Sequence, residues 1–206
     1  MEDAELARRS IRGFAEMAAL LDGRGTENPW VDAAVDEGDA HTVWTARDGG
    51  VPGRVEDPSI AMPVMGAVLE ELALEGGSGT VSETPPMDVV GAMNDRAYAQ
   101  GTVLEPLLVR AAGAPSLSRH GVRVDGEWAC VLLALRVEDD VAVHYVATEE
   151  RFRRRGLASG LIVEVLRGAR DAGVVTATLQ ASPDGLPVYE RLGFRRVGVL
   201  RAFQRP

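Results

Sequence analysis

Lysine is absent from this 206-residue chain: all 22 of its basic residues are arginine. That reads as a compositional bias of the source genome without functional meaning. Cysteine occurs once, at Cys130, which excludes an internal disulfide framework. It sits in the apolar run from Trp128 to Leu135 and reads as a small core residue, not a nucleophile. No apolar run approaches the ~20 residues that span a bilayer. The acidic start, Met-Glu-Asp-Ala-Glu-Leu, lacks the apolar segment of a secretory signal. A cytoplasmic protein with no membrane partner is therefore expected. Histidine occurs three times, at His41, His120 and His144. None has a partner at metal-ligand spacing, so no metal site is expected.

What is present suits a soluble globular chain, with 46% hydrophobic and 26% charged residues. The length fits one well-buried domain, or one domain with a smaller second part. The net charge of −9 is unevenly spread: residues 1–100 hold 7 arginines against 19 acidic residues, and residues 101–206 hold 15 against 12. The less acidic half is the better host for an anionic ligand, although solubility alone also accounts for the asymmetry.

The apolar spacing of Leu6, Ile11, Phe14, Met17, Ala18 and Leu21 predicts an amphipathic helix over 2–21. A second short helix is expected from Pro29 to Glu37, a strand from His41 to Ala46, and a loop over 50–60. Met62 to Leu74 is ambiguous, with Val68 to Leu74 reading as helix. Gly76-Gly77-Ser78-Gly79 is the clearest linker, and divides a variable N-terminal α/β part, 1–78, from a second domain, 79–206. In the latter, Thr80 to Glu83 is a strand candidate, and helices are expected over 86–98 and 103–112. Three strands follow, 117–124, 128–137 and 141–147, the first two joined by the hairpin signal Asp125-Gly126. A helix over 155–172, a strand over 174–181, a short helix over 186–192 and a strand over 194–203 complete the pattern. The unit 141–147, 155–172, 174–181 is a right-handed βαβ crossover by the usual rule. The fold class is α/β, with a mixed sheet containing one parallel pair.

Between strand 141–147 and its helix lies Ala147-Thr148-Glu149-Glu150-Arg151-Phe152-Arg153-Arg154-Arg155-Gly156-Leu157-Ala158. A helix start leaves several N–H groups unpaired, and with the positive end of the helix dipole these favour a phosphate. Gly156 has no side chain to hinder approach to the backbone. On its own the arginine run reads equally as a solvated basic patch or a nucleic-acid contact; overall acidity argues against the last.

Arg153-x-x-Gly156-x-Ala158 matches the Gln/Arg-x-x-Gly-x-Gly/Ala signature of GCN5-related N-acetyltransferases (GNAT). The stretch Thr178 to Phe194, with Tyr189-x-x-x-Gly193-Phe194, looks like that family's closing segment. The chain resembles GNAT proteins of an actinobacterial type over about residues 80–206, with a variable N-terminal part. One departure is Arg154, where many relatives have glycine. The resemblance implies the GNAT acyl-CoA fold with a small N-terminal α/β extension, and it implies acetyl-CoA as donor. It assigns acyl-CoA binding to Val146, Ala147, Thr148, Arg153, Arg154, Arg155, Gly156, Leu157, Ala158, Ser159 and Ser182. Amides of Arg154 to Ser159 would hold the pyrophosphate, and main-chain groups of Val146 and Thr148 would pair with the pantetheine arm as if with an added strand. The strands 141–147 and 174–181 should splay to admit that arm, helped by a bulge near Tyr145. Ser182 would lie near the pantetheine or the thiol.

For catalysis the resemblance points to Tyr189, a phenol protonated at neutral pH that can donate to a leaving thiolate; without it, Tyr189 reads as a core aromatic. His144, two residues before Val146, is expected on the same sheet face and is a candidate base, against the ordinary reading of a structural strand histidine. Asn94, Asp95 and Tyr98 lie on the helix where this fold often contacts acceptors, or are surface polar residues at a helix end. The activity implied is transfer of an acetyl or acyl group to a primary amine of a small molecule, peptide or protein by direct attack in a ternary complex. The alternative is a non-catalytic acyl-CoA-binding or sensor module. No nucleic-acid partner is expected, and the oligomeric state is open between a monomer and a homodimer.

Overall fold

A computed structural model describes residues 1–22, 32–37, 40–45, 60–74, 82–99 and 101–203. The expected loop over 50–60, the glycine-rich stretch 76–79 and the start of the strand candidate at 80–83 lie largely or wholly outside them. The elements are α1 (Asp3–Asp22), β1 (Asp32–Glu37), β2 (Ala40–Thr45), β3 (Ile60–Val68), a 3-10 turn (Leu69–Glu71), α2 (Met87–Tyr98), α3 (Leu104–Ala111), β4 (Leu117–Val124), β5 (Glu127–Val137), β6 (Asp140–Thr148), a second 3-10 turn (Glu150–Phe152), α4 (Leu157–Asp171), β7 (Thr176–Gln180), α5 (Leu186–Leu192) and β8 (Arg195–Phe203). The strands form one mixed sheet in the order β2-β1-β8-β3-β7-β6-β5-β4. Among the described residues only β6 and β7 pair parallel, joined by α4 as the crossover.

Apolar periodicity built the helices as expected. α1 buries Leu6, Ala7 and Ile11 against Val64, Val197 and Leu200, and its later turns bury Met17 and Leu21 beside α2 and α3. On the opposite face, α4 sets Leu161, Ile162, Val165 and Leu166 against Leu132, Val143 and Leu179. The closeness of α1 to the sheet depends on Gly13: a Cβ there would lie 2.5 Å from the Cβ of Ala142.

Two segments depart from the sequence reading. Asp32–Glu37 is a strand, not part of a helix, and pairs antiparallel with β2 and β8. Ile60–Val68 is also a strand, and only one 3-10 turn follows where a helix was expected. β3 lies between β7 and β8, with Val64 opposite Gln180 on one side and Gly198 on the other. Strands from before and after the glycine-rich stretch are thus neighbours in one sheet. Pro63 is accommodated there because the register shifts between Val64 and Met65, and its carbonyl accepts from Ala181 N–H at 2.9 Å. From 80–83, Glu83 makes a single antiparallel bridge with Gly121 of β4.

Candidate active site

The parallel ladder between β6 and β7 runs from Asp140 opposite Thr176 to Val143 opposite Leu179 and stops there. Beyond it, β6 follows β5 to the pair Thr148–Cys130, while β7 follows β3 to the pair Gln180–Val64. The strands therefore open into a wedge. A bulge helps make it: Val131 faces Ala147 and Leu133 faces His144, so Tyr145 and Val146 together oppose Leu132. Tyr145 has φ +51°, a left-handed conformation that costs a bulky residue roughly 1–3 kcal/mol and persists where surroundings enforce it. Here the enforcing group is Asn94, whose side-chain amide donates to Tyr145 O at 3.0 Å and to Val90 O at 2.9 Å.

The bulge overturns the expected pairing of faces. Val146 packs toward the α4 side, and Tyr145 toward the α2 and α3 side. His144 does not share Val146's face; it lies near the backbone of Gly13 in α1, with its Nε2 buried and without a partner among the described residues. Burial lowers its pKa to about 4. At neutral pH the ring is uncharged, and it is buried with its centroid 6.2 Å from that of Tyr145.

At the wedge's open end, β6 passes through the 3-10 turn into α4. Arg154 (φ +61°) and Gly156 (φ +76°) turn the chain into the helix, which has no side-chain N-cap. The amides of Gly156, Leu157, Ala158 and Ser159 have no acceptor among the described residues. No atom lies within 4 Å of where a Cβ on Gly156 would stand. The four arginines differ in their attachments. Arg151 pairs with Glu127 and lies over the Phe152 ring at 4.7 Å. Arg155 lies over the same ring at 5.2 Å and donates to Arg151 O. Arg153 Nε donates to Thr148 O at 3.1 Å, which ties the loop back to the strand and occupies one lone pair of that carbonyl. The Arg154 side chain is exposed and has no partner among the described residues. The start of α4 is thus a partly exposed cluster of free N–H donors that directly follows three arginines in the chain.

Deeper in the wedge, Tyr189 on α5 is 7% exposed, with its ring edge-on to Phe194 at 5.9 Å. Burial first, then nearby Tyr98 and Cys130, pushes its pKa far up, so it is always a proton donor at physiological pH. The Cys130 thiol is raised to about 11 by burial and receives a hydrogen bond from Thr148 Oγ1 at 3.3 Å; it is inert, as its sequence context suggested. Ser182 Oγ accepts from Gly185 N–H at 3.2 Å.

The fold thus brings Val146, Ala147, Thr148, Ser182 and Tyr189 to one wedge, with Arg153 to Ser159 at its rim, and sets His144 apart. One residue was under-read in the sequence. Asn94 holds the bulge, yet it resembles an ordinary polar residue of a helix end. Asp95 is structural, its carboxylate accepting from the N–H groups of Val103, Leu104 and Glu105 at the start of α3. Among the described residues no group of three or more His, Cys, Asp or Glu is placed to hold a metal.

Residues 118–204 match the family model "Acetyltransferase (GNAT) domain". Solved structures of similar fold include a GCN5-related N-acetyltransferase from Kribbella flavida, at 19% identity over 73% of this chain and 60% of that one, TM-score 0.55. A putative GNAT acetyltransferase from Novosphingobium aromaticivorans gives 21% identity, 73% and 68% coverage and TM-score 0.53. The ribosomal-protein-S18-alanine N-acetyltransferase of Escherichia coli gives 16%, 61% and 93%, and 0.51. The chain spans less than two thirds of the length of the Kribbella protein, and no curated protein sequence matches it. Sequence signature, wedge and family model coincide, and residues 118–204 are similar to the GNAT acetyltransferase domain.

Proposed function

We propose that the chain is an acyl-CoA-dependent N-acyltransferase that moves an acetyl group from acetyl-CoA to a primary amine. The observation that carries this is the continuity of two features on one stretch of backbone: the wedge beside Val146 to Thr148, and the free amides of Gly156 to Ser159 at the helix start. A long ligand with a diphosphate at one end and an extended amide-bearing arm at the other suits both. The diphosphate would rest on the helix-start amides, supported by the dipole of α4 and the arginine side chains. The arm would lie along the free edge of β6 as an added strand.

Bound there, acetyl-CoA supplies an activated thioester. The free edge at Val146 offers a main-chain N–H to the thioester oxygen, favouring the negative charge that develops as an amine adds to the carbonyl carbon. The carbon–sulfur bond then breaks, and Tyr189 donates its proton to the departing sulfur. The amine's own proton leaves by water through the open side of the wedge. His144 takes no part, because its ring is enclosed under α1. The acceptor is a small-molecule or peptide amine. The Escherichia coli structure of similar fold, by its name, acylates the alanine of a ribosomal protein, which is consistent with an amine acceptor.

The test is a thermal-shift titration with acetyl-CoA followed by a panel of amines assayed for free thiol. A saturable shift and amine-dependent thiol release are expected. No shift with any acyl-CoA overturns the proposal; binding without turnover on a broad panel favours a sensor module.

A further inference from the structure

The sheet ends in β4 on one side and β2 on the other, and the two ends are built differently. β4 is protected. Its Gly121 exchanges two main-chain hydrogen bonds with Glu83 across the outer edge, one in each direction and both 2.8 Å. Its register against β5 shifts between Val122 and Arg123, and Arg119 and Arg123 lie along it. A covering bridge, a bulge and charged residues are devices that keep an edge strand from pairing with another chain.

β2 has none of them. Among the described residues its one strand neighbour is β1. Its sequence, Ala-His-Thr-Val-Trp-Thr, holds no carboxylate, arginine, glycine or proline, and its register against β1 is unbroken from end to end. From Thr42 to Thr45 every residue is β-branched or aromatic, the types that favour strands. The segments nearest in sequence, 23–31 and 46–59, are dense in glycine, proline and charge and by composition are poor sources of a covering strand.

The free edge has a defined polarity. Two residues separate β1 from β2, so Glu37–Ala40, the pair that closes the hairpin, is one whose main-chain N–H and C=O groups face each other. Such pairs alternate along an antiparallel ladder. Ala40, Thr42 and Trp44 therefore turn their main-chain groups toward β1. His41, Val43 and Thr45 turn theirs outward, evenly spaced about Val43.

We infer that two copies of this chain join by antiparallel pairing of β2 with β2, about a two-fold axis at Val43, into one continuous sheet. In that register Val43 meets Val43 of the second copy and His41 meets Thr45. Each outward N–H then faces an outward C=O, as a self-complementary contact requires. A register centred on Thr42 or Trp44 pairs only two of the three outward residues within the strand. No like charges are set opposite one another, because the strand carries no carboxylate or arginine. The edge is its own complement, which is why a second copy is the occupant that fits it. The inference does not depend on the acyl-CoA reading.

The test is sedimentation velocity of the full chain over about a hundredfold range of concentration, with Val43→Pro and Val43→Lys alongside. The wild type should pass from monomer to dimer. Val43→Pro removes an outward N–H from each copy and should weaken association at least about tenfold. Val43→Lys sets two ammonium groups opposite each other and should do the same. Both leave the main-chain groups that face β1 in place, so melting temperatures of the dilute proteins should stay near that of the wild type. In residue-resolved hydrogen exchange, the His41, Val43 and Thr45 amides should gain protection as concentration rises, while those of Thr42 and Trp44 change little. A chain that stays monomeric across the range overturns the inference. A dimer that both variants leave intact, or that forms without added protection at the three outward amides, overturns it as well.

Discussion

Asn94 and Tyr145 are joined by a hydrogen bond of 3.0 Å, from the side-chain amide of a helical residue to the main-chain oxygen of a strand residue. It couples α2 to the left-handed kink in β6 and so to the wedge. Asn94→Ala would leave that carbonyl and the carbonyl of Val90 without this donor. A loss of about 1–3 kcal/mol in urea unfolding is expected, together with weaker acetyl-CoA binding because the free edge of β6 shifts. Unchanged stability and binding would show that the kink is held by other contacts.

Gly156 and Gly173 form a matched pair. Both have positive φ, +76° and +79°, and at neither does any atom lie within 4 Å of an added Cβ. Alanine at either site should cost a similar ~1 kcal/mol of backbone strain. Gly156→Ala should also weaken CoA binding by about tenfold or more, since a methyl group would stand where the anion approaches the amides, whereas Gly173→Ala should leave binding unchanged. Equal binding losses at both sites would refute a diphosphate seat at the start of α4.

Two buried groups on β6 titrate in the same pH range with opposite signs. The pKa of Asp140 is raised to about 6, chiefly by burial against the partial relief of hydrogen bonds from Thr176 and Thr178. Its contribution to stability is full below the unfolded value of 3.8 and is lost as pH rises through 6. His144, lowered to about 4 by burial, contributes fully above its unfolded value of 6.5 and loses that contribution as pH falls toward 4. Each effect is on the order of 2–3 kcal/mol. Between pH 7 and pH 4.5, His144→Phe should therefore lose less stability than the wild type, and Asp140→Asn should lose more. Urea unfolding at the two pH values reads both differences.

Tyr189→Phe keeps the ring against Phe194 and removes only the proton. Turnover should fall by about 100-fold, with acetyl-CoA affinity and melting temperature nearly unchanged. Normal turnover would mean that another group, or water, protonates the sulfur.

The helices and the βαβ crossover were legible because their apolar residues recur at the helical period or run continuously through a buried strand. β3 was not. Val64, Met65 and Ala67 are buried, with α1 over one face and the α4 core on the other, so the alternation that marks a half-exposed strand is missing. Pro63 also argues against an interior strand, and only the adjacent register shift makes it tolerable. Asp32–Glu37 reads Asp-Ala-Ala-Val-Asp-Glu, poor in β-formers, and takes its form from the strands on either side. At the site, the period of two placed His144 beside Val146. One extra residue at the bulge reversed that, and the cause, Asn94, lies about fifty residues earlier in the chain.

The position of β3 also has a consequence for synthesis. Its two neighbours, β7 and β8, start at Thr176 and Arg195, far beyond its own end at Val68, so an apolar segment completed early must wait on the ribosome for a long intervening stretch before it can pair. Long-range ladders of this kind slow folding and prolong exposure of an unpaired strand. Expression yield of this protein should therefore respond to translation rate and to chaperones that shield extended apolar segments.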